Sequence, residues 1–259
     1  MDKNLVLEPV SVVDSENRPV AGLEKSNFRV FDDKVEQTIE SFSTEDEPVA
    51  VGLVFDTSGS MDQNLRESRL AAKAFFETAN PEDEFLLVEF SDTPTLAVPL
   101  TNDAHQIETR LDLTKSRGKT ALLDAIHLGL TEIKKSKKSR KALLVISDGG
   151  DNHSRYRERE IQDLVRESDV LIYAIGIYEP WDLLDRTPEE LAGPGLLKEI
   201  AEQTGSREYS VGNVGRLTDI TKTIGTALRN VYVLGFSPTD QRHDGRHHTV
   251  QIKIVRTHG

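Results

Sequence analysis

One aspartate and two serines alternate with other residues in a short loop, where their side-chain oxygens can converge. Asp56, Ser58 and Ser60 follow the uninterrupted apolar run VAVGLVF, and Gly59 gives the backbone freedom to turn. Mg²⁺ prefers hard oxygen ligands in an octahedron, and one carboxylate with two hydroxyls supplies about half of that shell. The loop therefore predicts part of a divalent-cation site. The competing interpretation is an ordinary strand-to-helix turn, in which Ser and Asp are favoured caps.

Apolar runs alternate with amphipathic helical stretches from Glu47 to Ile224, which is typical of βα units around a parallel sheet. The runs predicted as strands are VAVGLVF, FLLVEF, TLAVPL, ALLVIS and VLIYAIGIY. We place TLAVPL at the sheet edge, because Pro99 cannot donate a ladder hydrogen bond. The periodicity predicts helices after the first run up to Asn80, and at about 105–111, from 120 onward, 158–167, 196–203 and 214–228.

Parallel topology brings further oxygens to the same edge of the sheet. In a doubly wound sheet of order 3-2-1-4-5-6, the strands beginning at Val49 and Ala142 are neighbours, and ligand sites form at their carboxyl ends. Asp148, which follows the second of these strands, is therefore expected beside Asp56. The hydroxyl of Thr120 either caps the helix that follows it or faces the same crevice.

Three motifs in this order resemble the metal-ion-dependent adhesion site of von Willebrand factor type A domains. The chain reads DTSGSM, then TALLDAI, then SDG. The resemblance implies an α/β fold with a doubly wound, mostly parallel, six-stranded Rossmann-like sheet. It also implies one divalent cation, Mg²⁺ first with Mn²⁺ or Ca²⁺ as alternatives. Direct contact with the metal is implied for Ser58 and Ser60, and direct or water-mediated contact for Thr120, Asp56 and Asp148.

The two ends of the chain differ from the middle, because they alternate apolar and polar residues with little helical signal. Neither end alone can bury a strand face, so we expect residues 1–45 and 229–259 to form one small antiparallel β-sandwich-like domain beside a type A domain at 46–228. We predict that NVYVLGFSP and HTVQIKIV pair with each other. Phrases such as RPVAGLEKSNFRVFDD and YVLGFSP resemble the ends of bacterial type A-domain proteins often described as exported.

Composition restricts the partners. A formal charge of −12 argues against nucleic acid, since neutralising phosphates needs a concentrated basic face. Without cysteine there is no disulfide, thiolate zinc site or cysteine nucleophile. No membrane span is expected, because no run of about 18 apolar residues occurs. Met1 is either the native start or follows a removed export signal, so export rests on the resemblance alone. The oligomeric state is not indicated.

These observations favour a protein-binding module of the adhesion or scaffold type, not an enzyme. A cation held largely by hydroxyls keeps residual positive charge and can capture a Glu or Asp side chain of a partner protein. One alternative is a metal-assisted phosphoester hydrolase that uses Asp56 and Asp148, although no G-x-x-x-x-G-K-[ST] phosphate loop accompanies them. Another is a structural module whose metal only stabilises the loops.

Other side chains carry two interpretations each. Asp151 and His153 are read as loop residues in preference to a proton-transfer pair. The basic run Lys134–Lys141 is read as cations complementing a helix dipole in preference to an anion-binding patch. Trp181 either packs its own loop or anchors a partner. Simple solvation is expected for the three histidines of the C-terminal loop, which are His243, His247 and His248.

Overall fold

A computed structural model describes residues 5–14, 19–45, 48–178, 188–239 and 249–255 of the chain. The chain divides into two compact units. The smaller unit combines Met1–Glu47 with Thr226–Gly259, and the larger unit is Pro48–Gly225. The predicted ligands all lie in the larger unit.

The strands and helices of the described residues are as follows. The strands are β1 (Val6–Ser11), β2 (Phe28–Asp32), β3 (Val35–Gln37), β4 (Ile39–Glu45), β5 (Val49–Asp56), β6 (Glu84–Phe90), β7 (Pro94–Thr101), β8 (Arg140–Ser147), β9 (Leu171–Ile177), β10 (Glu208–Val211), β11 (Val231–Phe236) and β12 (Val250–Ile254). The helices are α1 (Leu65–Phe76), α2 (Ala104–Leu113), α3 (Leu122–Ile133), α4 (Glu158–Arg166), α5 (Pro188–Gln203) and α6 (Leu217–Arg229).

The larger unit is built on a six-stranded sheet of order β10-β9-β8-β5-β6-β7. All neighbours are parallel except β6 and β7, which are antiparallel. This confirms the doubly wound, mostly parallel α/β prediction, and β7 is the edge strand that Pro99 requires. Every residue of β5 is buried, as expected for a central strand covered on both faces.

Helices cover both faces of this sheet. Buried side chains of α3, α4 and α5 form one core with inward residues of β5, β6, β8 and β9. On the other face the rings of Phe76 and Phe85 meet edge to face at 5.1 Å between centroids. Gly129 lets α3 approach closely, since a Cβ there would lie 3.1 Å from Val54 and 3.2 Å from Leu143. This close packing fixes α3 against β5 and β8.

Two elements of the larger unit differ from the sequence prediction. The sixth strand, β10, was not identified among the apolar runs, because only four residues form it. Helix α5 begins at Pro188 and continues through Pro194, whereas the predicted helix begins at Leu196. Pro188 suits a first helical turn, but the segment ELAGPG carries strong loop signals. Tertiary packing of Leu197 and Ile200 into the core overrides those signals.

The smaller unit contains two three-stranded antiparallel sheets, β1-β11-β4 and β12-β2-β3. They share one core, in which Phe28 and Val30 of β2 lie with Tyr232, Leu234 and Phe236 of β11. The predicted pairing of the two C-terminal strands is wrong, because β11 pairs with β1 and β4 while β12 pairs with β2. Strand β11 is buried along nearly its whole length and occupies the centre of its sheet. Both of its edges are therefore hydrogen-bonded to a neighbouring strand.

No helix in the described part of the chain is long and apolar enough to cross a membrane. The basic run Lys134–Lys141 begins directly after α3 ends, and Lys135 pairs with Glu132 at 2.6 Å. Cations at this position complement the helix dipole. Trp181 and the three histidines of the C-terminal loop lie outside the described residues.

Candidate metal site at the carboxyl edge of the sheet

Three loops at the carboxyl edge carry the predicted ligands. The first loop (residues 56–61) leaves β5, the second loop (residues 114–121) precedes α3, and the third loop (residues 147–154) leaves β8. Because β5 and β8 are adjacent parallel strands, the first and third loops start side by side.

Asp56 is fully buried at the end of β5, and both of its carboxylate oxygens accept hydrogen bonds. The backbone N–H of Ser58 donates to Oδ1 at 2.8 Å, and the hydroxyl of Ser147 donates to Oδ2 at 2.6 Å. Ser147 in turn accepts from the backbone N–H of Gly149 at 3.0 Å. The orientation of the Asp56 carboxylate is therefore set by residues of two loops.

The hydroxyls of Ser58 and Ser60 lie 3.0 Å apart, so the two serine oxygens of the first loop do converge. Ser58 is buried and Ser60 is exposed. The backbone N–H of Gly59 donates to the carbonyl oxygen of Gly118 in the second loop at 3.0 Å. This close approach holds the serine pair against the loop that contains Thr120.

Thr120 is buried and does not cap α3, and the N-cap residue Ala121 provides no side-chain cap either. Asp151 takes that role, since its Oδ1 accepts from the backbone N–H of Leu122 at 2.9 Å and from the hydroxyl of Ser154 at 2.6 Å. Within the described residues the Thr120 hydroxyl makes no hydrogen bond. Of the two roles open to Thr120, the capping role is therefore filled by another residue.

Asp148 is buried beside Asp56, and the two carboxylates influence each other. Burial first, and the negative charge of Asp148 second, raise the pKa of Asp56 to about 7 against the lowering effect of its hydrogen bonds. Oδ1 of Asp148 accepts from the backbone N–H of Gly150 at 3.3 Å. Two acids are thus held together in a site where ionising both is costly.

The three loops are hydrogen-bonded to one another pairwise. Gly59 joins the first loop to the second, and Ser147 joins the third to the first. Thr120 and Asn152 join the second to the third, because the N–H of Thr120 donates to Oδ1 of Asn152 and the N–H of Asn152 donates to the carbonyl of Thr120, each at 3.0 Å. The loops therefore form a closed ring of contacts around the predicted ligands.

Sequence reasoning did not single out Ser147 and Asn152, which position the ligands, and it read Asp151 only as a loop residue. The run SDGGDNHS did carry a usable signal, since Asp, Asn and Ser after a strand commonly bond to nearby backbone. Gly149 has φ +82°, and a Cβ there would lie 2.8 Å from the backbone of Gly193. This contact sets the third loop directly against α5.

The donor set fits a hard divalent cation. It consists of two carboxylates and three hydroxyls, which suit Mg²⁺ and also Mn²⁺ or Ca²⁺. Among the described residues no group of three or more His, Cys, Asp or Glu side chains is placed to hold a metal ion. A site at these residues would accordingly depend on hydroxyl oxygens. Burial and the repulsion by Asp148 raise the pKa of Asp56, and a bound cation would relieve both effects.

Residues 51–150 match the sequence model of a family described as the von Willebrand factor type A domain. Residues 51–150 belong to a von Willebrand factor type A domain. The matched residues span the whole of the first and second loops and the third loop as far as Gly150. All five predicted ligands lie within them.

Known proteins are similar to this chain in sequence or in fold. An uncharacterized protein of Borreliella burgdorferi is 25% identical over 152 residues, which are 53% of this chain and 45% of that protein. The chain thus spans less than half the length of this curated relative. The solved von Willebrand factor type A protein of Catenulispora acidiphila aligns with a TM-score of 0.59 at 16% identity, over 87% of this chain and 50% of that one.

A second solved structure is the vWF domain of the type V pili tip protein Mfa5 from Porphyromonas gingivalis. It aligns with a TM-score of 0.55 at 14% identity and covers 70% of this chain and 96% of that one. At such identities the similarity concerns the fold, and it agrees with the six-stranded sheet and its surrounding helices.

Proposed function

We propose that the von Willebrand factor type A domain of this chain binds one divalent cation and uses it to capture an acidic side chain of a partner protein. The proposed metal ligands are Asp56, Ser58, Ser60, Thr120 and Asp148. Mg²⁺ is the first choice, with Mn²⁺ and Ca²⁺ as alternatives. The observation that carries the proposal is the juxtaposition of the Asp56 and Asp148 carboxylates beside paired serine hydroxyls.

The proposed ligands include both charged carboxylates and uncharged hydroxyls. Asp56 and Asp148 supply the negative charge, and Ser147 together with the Ser58 N–H keeps the Asp56 carboxylate in one orientation. The hydroxyl ligands add oxygen atoms without adding charge. When bound, the cation supplies an electrophilic position for one external carboxylate, so metal and partner are expected to bind with positive linkage.

A protein partner fits the chain better than nucleic acid or a reaction substrate. The net charge of −12 disfavours a polyanion. A similarly folded domain occurs in a pili tip protein, which supports an exported or surface role for this chain as part of the proposal. His153 is exposed, and its ring has no hydrogen-bond partner within the described residues, so nothing orients it as a base for the hydrolase alternative.

Calorimetric titration of Mg²⁺ into chelator-treated protein tests the metal site. We expect a single site in the wild type, no binding by Asp56→Ala, and retained binding by Asp62→Ala. Asp62 is a matched control, because it is an exposed acid beside the first loop that accepts from Ser116 instead. Thermal unfolding of each variant verifies the fold. A well-folded wild type that takes up no divalent ion contradicts the proposal.

Partner capture is tested by pull-down from source lysate and envelope fractions in Mg²⁺, in chelator, and with Asp56→Ala. A partner lost in both of the latter conditions is the expected result. Two outcomes favour the alternatives. Hydrolysis of generic phosphoesters that is lost in Asp56→Ala indicates a hydrolase, and destabilisation by chelator without any metal-dependent partner indicates a purely structural metal.

A further inference from the structure

An open pocket of about 330 Å³ lies beside the first loop, on the side of β6 and β7. Its wall includes the cations Arg110, Lys115 and Arg117 and the hydroxyls of Ser91, Thr93 and Thr95. We call these six residues the cationic pocket. In a chain with net charge −12, such a local excess of positive charge indicates a preference for an anionic group.

The one carboxylate in the wall of this pocket is already neutralised. Glu89 is buried, and its Oε2 accepts from Nε of Arg110 at 3.0 Å and from Nη2 of Arg110 at 2.6 Å. Its other oxygen accepts from the hydroxyl of Thr114. Glu89 therefore fixes Arg110 in place and leaves the charges of Lys115 and Arg117 uncompensated.

Lys115 and Arg117 are exposed, and neither side chain forms a hydrogen bond or ion pair with any described residue. The hydroxyls of Ser91, Thr93 and Thr95 likewise make no hydrogen bond within the described part of the chain. Five donor-bearing residues thus line one pocket, and none of their side chains has an acceptor among the described residues. Charge-assisted hydrogen bonds from such donors to a carboxylate are among the strongest in proteins.

The same backbone segments build the cationic pocket and the proposed metal site. Thr57, in the pocket wall, lies between Asp56 and Ser58 in the first loop, and its carbonyl accepts from the N–H of Arg117 at 2.8 Å. The second loop runs from the pocket at Thr114 to Thr120. The cationic pocket and the proposed metal site therefore adjoin each other along the first and second loops.

We infer that the cationic pocket binds a second carboxylate of the partner segment whose first carboxylate binds the metal. The inference rests on the proposed function and makes it more specific. The partner presents a short acidic segment with two acids, and one acid alone binds more weakly. Leu113, 68% exposed at the rim of the pocket, adds apolar contact to such a segment.

Fluorescein-labelled peptides provide the test by anisotropy in Mg²⁺ and in chelator. The two-acid series has two aspartates separated by one to six glycines or serines, and the one-acid series has Asn in place of the second aspartate. We expect the best two-acid peptide to bind wild-type protein roughly tenfold more tightly than its one-acid partner. Lys115→Ala/Arg117→Ala should remove that difference and leave one-acid binding and Mg²⁺ uptake unchanged.

Lys134→Ala/Lys137→Ala is the matched control. It removes the same charge from two exposed lysines that follow the far end of α3, and neither has a side-chain partner among the described residues. This control should keep the tenfold difference, which separates a local effect from a general change in net charge.

The outcomes separate the two proposals. Equal affinity for one-acid and two-acid peptides at every spacing, including no measurable affinity for either, overturns the inference. Metal-dependent binding that is unchanged in Lys115→Ala/Arg117→Ala also overturns it and leaves the proposed function standing. A last outcome is that two-acid peptides bind in chelator and bind less tightly to Lys115→Ala/Arg117→Ala. That result would show that the pocket binds a carboxylate and would refute capture by the metal.

Discussion

Two buried aspartates near the carboxyl edge of the sheet show opposite electrostatics. Burial acts to raise the pKa of Asp124, but hydrogen bonds from the N–H of Tyr156 and from the side chain and N–H of Arg155 outweigh it and lower that pKa. Asp56 is also hydrogen-bonded, yet burial and the neighbouring Asp148 raise its pKa to about 7. Asp124 is compensated by cationic and backbone donors of the chain itself, whereas the donors to Asp56 among the described residues are the uncharged Ser58 and Ser147.

This difference separates a structural aspartate from a candidate ligand. Asp124 connects α3 to the segment before α4, through bonds of 2.9 Å and 3.0 Å from Arg155 and 3.1 Å from Tyr156. Its negative charge is satisfied within the fold. Asp56 gains no comparable positive partner among the described residues, so a bound cation would favour its ionised form.

The largest expected effect is on metal affinity in Asp56→Asn. The amide keeps the acceptor for the Ser58 N–H and can donate to Ser147, so the fold is preserved while the charged ligand is lost. We expect Mg²⁺ affinity to fall roughly a hundredfold, since the loss of even a water-mediated or outer-shell partner costs up to about that much. Calorimetry measures this, and unchanged affinity would show that Asp56 is not a ligand.

The next effect concerns pH in the metal-free protein. Folding raises the pKa of Asp56 from 3.8 to about 7, so between these values the folded state holds a proton that the unfolded chain has lost. Stability due to this group is present at low pH and falls as pH rises towards 7, by at most roughly 4 kcal/mol. Thermal unfolding in chelator at pH 5 and pH 7.5 should show the decline.

Two further measurements isolate Asp56 in that decline. Asp56→Asn should weaken the pH dependence, because it removes the titrating group. Mg²⁺ should raise the melting temperature of the wild type more at pH 7.5 than at pH 5. A pH profile identical in wild type and Asp56→Asn would rule out Asp56 as its source.

Asp124→Asn should show the opposite behaviour to Asp56→Asn. It weakens the charge-assisted bonds from Arg155 and Tyr156, so we expect a loss of about 2 kcal/mol of stability at neutral pH. Mg²⁺ affinity should remain within a few-fold of wild type. Chemical denaturation and calorimetry on the same samples check both parts, and a large loss of affinity would place Asp124 in the metal site.

The smallest effect is expected for Arg155→Ala. The Arg155 side chain is 83% exposed, so its 3.0 Å ion pair with Asp124 is screened by solvent. The backbone N–H groups that bind Asp124 remain in this variant. We expect only a small loss of stability, and a loss in chemical denaturation as large as that of Asp124→Asn would show that the ion pair dominates.

The sequence was most informative about the strands of the large sheet. Long apolar runs identified five of the six strands of the large sheet, and Pro99 identified its edge. Strand β10 is short, and α5 begins within residues that favour a loop, so tertiary packing determines both. Which strands pair with β11 also depends on packing, and this explains the wrong prediction that it pairs with β12.

For the candidate site, residue types were predictable and supporting contacts were not. The spacing of Asp56, Ser58 and Ser60 indicates their convergence, and the serine hydroxyls do meet. Ser147 and Asn152 support the site through hydrogen bonds to loops distant in sequence. Such bonds depend on the register of adjacent strands and on where α3 starts, which local patterns do not specify. The coordination of a metal by Asp56, Ser58, Ser60, Thr120 and Asp148 stays a prediction.

The closed ring of contacts among the three loops has a thermodynamic consequence. Ordering a flexible loop costs conformational entropy of about 1–2 kcal/mol per residue, and here that cost is met when the chain folds. A cation or an acidic segment then meets loops that are already ordered. Association should therefore proceed with a small entropic penalty from the protein, and its affinity should reflect mainly the exchange of water for ligand oxygens.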